Sequence, residues 1–277
     1  MVAAVAAMAL LATLALVMIG DTRAGTAMAA AERGQAQAAA AADAGLVLAL
    51  GHLLVADRAG RWSIDGRERH LRYAGMALAI RVEDERGKVP LAQIDEATAA
   101  RLAEAAGLPG ERGRIAAQSL LDWTDDDDEP RAEGAERAWY ASRGRIIRNG
   151  LPQTIEELAE VRGWDRAALA RVRPFITLRY RSGGFEPRFA SPQAIGVMLP
   201  GGANGAQAII RQRELSGQTT AIELGEAMDL TGRPLTVAVD VSSEGDVRLS
   251  RRWLVELTGD RQRPYVVRAV DSGSGRP

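Results

Sequence analysis

The chain reads as an α+β fold: one long N-terminal helix packed on an antiparallel sheet, with an all-helical domain inserted into that sheet. Three observations predict it. Met1 to Gly20 is an uncharged apolar run that passes without a break into the Ala-rich stretch Asp21–Val55. Apolar residues alternate with period two near residues 69–85, and again at 235–241, 247–257 and 265–270. Between these two regions, a helix–glycine turn–helix plan occurs three times.

The helix comes first. No proline precedes Pro90, so nothing forces the chain out of helix as it leaves the apolar run. Twenty apolar residues span about 30 Å, enough to cross a bilayer. Alanine, the best helix former, dominates Asp21–Val55, so residues 1–55 predict one helix of about 80 Å ending near Asp57–Gly60. Met1–Gly20 has no polar face, which argues against a buried helix of a soluble protein. Three readings remain open for it: a signal cleaved at Ala27-Met28-Ala29, a plain membrane anchor, or a pilin-type assembly helix whose short basic leader is removed.

Residues 56–88 predict the first part of the sheet. Met76, Leu78, Ile80 and Val82 share one parity, and Ala77, Ala79, Arg81 and Glu83 form the solvent face. Arg86-Gly87 turns the chain. Residues 89–216 predict the inserted helical domain. Its helices are Ile94–Ala106 and Glu111–Trp123 about Gly107-Leu108-Pro109, then Thr154–Arg162 and Asp165–Val172 about Gly163-Trp164. Thr154 and Glu157 make a capping-box pattern. Ser191–Leu199 and Ala206–Leu215 form the third pair, about Pro200-Gly201-Gly202. Residues 217–270 predict a C-terminal meander with one buried face, and the Ser/Gly-rich tail 271–277 is expected to be disordered.

Composition narrows the chemistry. Net charge is −1, so the chain carries no global basic field. Cysteine is absent, which removes disulfides, thiolate nucleophiles and Cys-ligated zinc. The two histidines, His52 and His70, leave little for imidazole chemistry; His52 is expected on the helix face against the sheet and His70 at a strand start. Gly201-Gly202-Ala203-Asn204-Gly205 lacks the Lys-Ser/Thr of a phosphate-binding loop. Trp123, Trp139, Trp164 and Trp253 read as core or interface residues. An enzyme is not expected.

Leu121-Asp122-Trp123-Thr124-Asp125-Asp126-Asp127-Asp128-Glu129-Pro130 is the strongest chemical signal. Five consecutive carboxylates, with Arg131 alone nearby, are either solvated or neutralised by a cation. Calcium suits them because it takes six to eight hard oxygens in flexible geometry. Glu133 and Glu136 stand close enough in sequence to complete such a site. The EF-hand pattern is absent, since no glycine occupies its turn position. The helical units raise a rival function, a membrane-anchored helix-hairpin-helix DNA receptor whose turn amides face phosphate. Against it, residues 89–178 hold 12 arginines and no lysine beside 16 acids.

In order, these parts resemble the type II secretion system minor pseudopilin known as protein K. Carrying the resemblance are the apolar helix, Ala41-Ala42-Asp43-Ala44-Gly45, and Ile80-Arg81-Val82-Glu83-Asp84-Glu85-Arg86-Gly87-Lys88. So do Leu121-Asp122-Trp123-Thr124-Asp125 with Gly134-Ala135-Glu136, and Thr154-Ile155-Glu156-Glu157-Leu158 with Val161-Arg162-Gly163-Trp164. The resemblance implies a pilin-like fold with an inserted SAM-like or helix-hairpin-helix-like domain. It also implies calcium, held by Asp122, Asp125, Asp127 and Glu136, with Asp126, Asp128, Glu129 and Glu133 as further candidates. The implied function is structural: a subunit at the pseudopilus tip, in complex with minor pseudopilins I and J, that initiates assembly and supports export of folded proteins. The implied location is the bacterial inner membrane, in contact with its lipid, with the globular part in the periplasm, and without nucleic acid. Processing by prepilin peptidase is implied too, with a basic leader expected ahead of Met1. The first acid is Asp21. The resemblance links the lack of an earlier one to the tip, where no neighbouring amine needs neutralising.

Overall fold

A 53-residue helix, α1 (Val2–Leu54), runs unbroken from the apolar stretch onto the face of a five-stranded sheet. The computed structural model describes residues 2–55, 60–179, 184–215, 229–243 and 247–273, and in α1 the side chains of Met8 and of Gly25 onward. The faces of the Met1–Gly20 run, and Asp21, lie outside the described side chains. Ala38, Ala41, Ala42, Leu46, Ala49, Leu50 and Leu53 recur at helical spacing and are buried on the sheet. Small residues let the helix come close. A β-carbon on Gly45 would meet Val239 Cγ1 at 2.8 Å and Leu78 Cδ2 at 3.1 Å, and one on Gly34 would meet Val247 Cγ2 at 2.9 Å. The stretch Gly25–Leu54 is long and apolar enough to cross a membrane, but 44% of its most apolar window is buried inside the fold.

The helix stops at Leu54, slightly before the expected Asp57–Gly60. Arg61 supplies the stop, donating from Nε and Nη2 to the Val55 carbonyl at 3.0 and 2.9 Å. His52, expected on the helix face against the sheet, packs on the loop that follows the helix. Its ring stacks on Trp62 at 4.5 Å, 7° from parallel, with Nδ1 3.2 Å from the Gly60 carbonyl oxygen. It fastens the returning loop instead.

The sheet order is β1-β2-β5-β6-β7, antiparallel throughout. The single alternating run expected at 69–85 is two strands, β1 (Arg69–Tyr73) and β2 (Met76–Asp84), joined at Ala74-Gly75. Both turn residues have positive φ, 50° and 80°, as a two-residue type I′ hairpin requires. In β2, Met76, Leu78, Ile80 and Val82 are buried against α1. They are joined by Leu235, Val237, Val239 and Val241 of β5 (Pro234–Ser242) and by Trp253, Val255 and Leu257 of β6 (Arg248–Leu257). Strand β7 (Tyr265–Gly273) runs on past Val270, pairing Asp271, Ser272 and Gly273 with Arg252, Arg251 and Ser250. The tail expected to be disordered from Asp271 therefore begins as strand, because β6 offers three more ladder partners; residues 274–277 lie outside the described residues.

Strands β2 and β5 are neighbours in the sheet yet lie about 150 residues apart in the chain, so residues 85–233 form an excursion from it. Its described residues carry six α-helices and a hydrophobic core of their own. Helices α2 (Glu96–Ala105) and α3 (Gly110–Thr124) form an antiparallel pair; Asp95 caps α2 by accepting the Thr98 amide at 2.7 Å. The stretch expected as helix Thr154–Arg162 is a short 3-10 turn, Ile155–Glu160. Glu157 accepts the Gln153 and Thr154 amides there, each at 3.1 Å, and Val161 is already extended. After it comes α5 (Arg166–Val172), which follows the five-residue α4 (Arg137–Ala141), and then the pair α6 (Pro192–Met198) and α7 (Gly202–Leu215). Two residues each of β3 (Val89–Pro90) and β4 (Ile176–Thr177) pair in parallel within the excursion. Most of residues 217–233, expected to begin the C-terminal sheet, lie outside the described residues; β5 starts at Pro234.

The joint between excursion and sheet is ionic. Lys88 Nζ, the chain's one ammonium side chain, sits 2.7 Å from Glu83 and 2.6 Å from Glu85. Glu85, 3% exposed, also accepts from Thr177 and, at 2.7 Å, from Thr236 Oγ1. Asp84, 2% exposed, takes the Arg86 amide at 2.9 Å and Arg233 Nη1 at 2.7 Å. Every buried carboxylate here has its cation.

Candidate metal centre

Helix α3 ends inside the acidic sequence and so carries its first carboxylate into the core. Asp122 occupies the last turn and is 0% exposed. Asp125 follows as the C-terminal cap, extended at φ −83°, ψ 179°, which turns its side chain back beside Asp122. The loop then returns through Gly134-Ala135 to Glu136, which precedes α4 and is 3% exposed. One oxygen from each of Asp122, Asp125 and Glu136 lies within 4.8 Å of the others.

Gly134 is required by this return. A β-carbon there would overlap Asp122 Oδ2, so only glycine lets the loop lie against the carboxylate. Arg162 holds the same loop from behind, donating Nη1 to the Gly134 carbonyl at 2.9 Å.

Three carboxylates converge, and a single guanidinium answers them. Arg131 Nη1 lies 2.5 Å from Asp122 Oδ1 and 2.8 Å from Asp125 Oδ2, and its amide is 3.3 Å from Asp122 Oδ2. Glu136 receives none of this. Both its oxygens, with Asp125 Oδ1, are buried and make no hydrogen bond. A buried, unpartnered carboxylate is costly. Burial first, then Asp122 and Asp125, push Glu136 up to about 7. Burial also raises Asp125, against the pull of Arg131 and with the push of Asp127 and Asp122.

The remaining acids of the run stand apart. Asp127 turns its carboxylate to the Glu129 amide at 2.8 Å, a local turn on the exposed side of the loop, and so does not join Asp122, Asp125 and Glu136. Asp126 and Glu129 are exposed, and Asp128 accepts from Asn149 Nδ2 at 2.9 Å. Glu133 pairs with Arg114 at 3.0 Å. Sequence reasoning missed Asn149. Its left-handed backbone, φ 44°, aims the amide at the loop, where Nδ2 donates to the Asp127 carbonyl and the Asp128 carboxylate, and its Oδ1 is buried without a partner. An Asn-Gly pair was the available signal.

The donor set is therefore hard oxygen, anionic and incompletely satisfied. Those properties fit calcium, and the residues that would hold it are Asp122, Asp125 and Glu136. The glycine turns, by contrast, are used for internal packing. Gly163, φ 87°, lies against Ala116 of α3, while Arg112 donates to Gly163 O and Arg171 to Ala106 O.

Residues 79–180, which hold β2, the joint and this whole site, match the family model for Type II secretion system (T2SS), protein K. The fold is similar to that in the crystal structure of the GspK-GspI-GspJ complex from the enterotoxigenic Escherichia coli Type 2 Secretion System. The TM-score is 0.63 at 16% identity, covering 88% of this chain and 99% of the other. No curated protein sequence matches the chain.

Proposed function

We propose, from the match of residues 79–180 to the type II secretion system protein K family, that the chain is the minor pseudopilin at the tip of a pseudopilus. It is held by the apolar half of α1 in the inner membrane, with the sheet and helical excursion in the periplasm. There it joins minor pseudopilins I and J, initiates assembly and supports export of folded proteins. The role is structural, not enzymatic.

The observation that carries this reading is the excursion itself. A pilin-type subunit stacks through its long helix, and the excursion between β2 and β5 adds a second body with its own hydrophobic core to the sheet. Such a body blocks the addition of another subunit above it, which suits an end position. The likeness to a chain crystallised in a GspK-GspI-GspJ complex supports the choice of partners. Coexpression of the full chain with its own I and J homologues, followed by purification in detergent, tests the reading. A stable complex of the three is expected. Recovery of the chain without either homologue, or cross-linking that spreads it along the shaft, overturns it.

Calcium belongs to the same proposal, as a structural ion at Asp122, Asp125 and Glu136. It would neutralise the carboxylates that converge there and lock the 125–136 loop onto α3. Melting the detergent-solubilised chain in calcium and in chelator reads this directly, since an ion bound only by the folded state stabilises it by mass action. An unchanged midpoint removes the ion from the proposal.

A further inference from the structure

We propose that Arg131 and the divalent cation are alternative occupants of one position, so that the chain carries its own tethered competitor for the metal. This rests on the calcium reading above. The acidic residues alone would not carry it; Glu136 does, being 3% exposed with both oxygens unpartnered and turned toward Asp122 and Asp125.

The geometry is that of a bridge. One nitrogen, Arg131 Nη1, touches Asp122 at 2.5 Å and Asp125 at 2.8 Å, which is where an ion shared by those two carboxylates has to sit. A guanidinium brings one positive charge to three carboxylates, and it stops short of the third. A divalent ion brings two and coordinates in several directions, so it can reach Glu136 as well. The two cannot share the gap. Calcium must lift Arg131 Nη1 off Asp122 and Asp125, and the side chain is free to leave, being 37% exposed where Asp122 is sealed in. The Arg131 amide, 3.3–3.4 Å from both Asp122 oxygens, stays with the loop and keeps Asp122 in place during the exchange.

Arg131 thus has two effects of opposite sign. It stabilises the metal-free fold and weakens calcium binding. Its removal separates them. Titration of calcium chloride into detergent-solubilised full chain by calorimetry should show Arg131→Met binding about tenfold more tightly than wild type or better, because a cation within a few ångströms no longer opposes the ion. In chelator the same variant should melt lower than wild type, and in calcium it should regain most of the difference. A variant that folds only in calcium meets the same expectation in its extreme form. Should Arg131→Met fold in neither condition, Arg131→Lys decides: it keeps the charge but reaches a single carboxylate, and must bind calcium several-fold more tightly than wild type. Equal or weaker binding by the variant that folds overturns the competition while leaving the calcium site standing. Absence of calcium binding in wild type and variants alike overturns both.

Discussion

Two groups of acidic side chains are buried in this chain, and they have been treated in opposite ways. At the joint, Glu83, Asp84 and Glu85 meet Lys88, Arg86, Arg233 and the hydroxyls of Thr177 and Thr236. At the end of α3, Asp122 and Asp125 share Arg131, and Glu136 beside them meets no cation among the described residues. The result shows in the carboxyls themselves. Burial works to raise Glu85, yet Lys88 and the two threonines bring it below 4.5; burial, then Asp122 and Asp125, raise Glu136 to about 7, and no described cation is paired with it. A run of acids therefore says little about metal. What separates the two clusters is whether the protein has already supplied the counter-charge.

The largest test of that contrast lies at the joint. Lys88→Met strands Glu85 in a buried pocket and should cost about 3–5 kcal/mol in denaturant melts, with calcium giving no relief. Adding Glu85→Gln should recover most of the loss. Failure of the double variant to recover would mean that Lys88 acts by packing and not by charge.

The second test is pH. Without divalent metal, the folded chain holds a proton on Glu136 that the unfolded chain releases above about 4.5, so stability falls as pH rises from 4.5 to about 7, by at most roughly 3 kcal/mol. Glu85 has the opposite sign. Its folded pKa is lowered, so its contribution is complete above 4.5 and is lost as pH falls through the folded value. Thermal midpoints in chelator should pass through a maximum near pH 5, and calcium should flatten the decline on the neutral side. A chelated midpoint that climbs steadily to pH 8 would break the contrast.

Smaller effects sharpen it. Gly134→Ala presses a methyl group onto the Asp122 carboxylate and should cost about 1–3 kcal/mol, while reducing the calcium-induced rise in midpoint. Asp127→Asn should be the mildest, within about 0.5 kcal/mol and with the calcium response intact, because its carboxylate stands outside the cluster. Loss of that response would bring Asp127 back into the site.

Much of the fold was legible because it rests on period and punctuation. The parity of Met76, Leu78, Ile80 and Val82 predicted the face that packs on α1, and the glycine turns divided the helices. The Ala74-Gly75 hairpin was hidden because alternation continues across it, and alanine at positive φ is no turn signal. The 3-10 turn at Ile155–Glu160 kept its capping box but not its helix, since Val161 leaves for the α3 packing that Gly163 and Trp164 make. At the site, Asp122 and Glu136 could be named from the Asp-Trp and Gly-Ala-Glu pattern. The exclusion of Asp127 and the arrival of Asn149 depend on how the loop folds back, which no local spacing records.

The small-residue face of α1 has a mechanical consequence. Among the described residues the helix first meets the sheet near Gly34, so roughly 50 Å of it extends ahead of that point. From Gly34 to Leu53 it lies along three strands through alanines and leucines seated at close range. A pull along the helix axis would load those seats in parallel, as a zip loaded lengthwise, and not one after another. The globular body would then follow the helix as a rigid load, and tension generated in the membrane would reach the far end of the molecule with little slack.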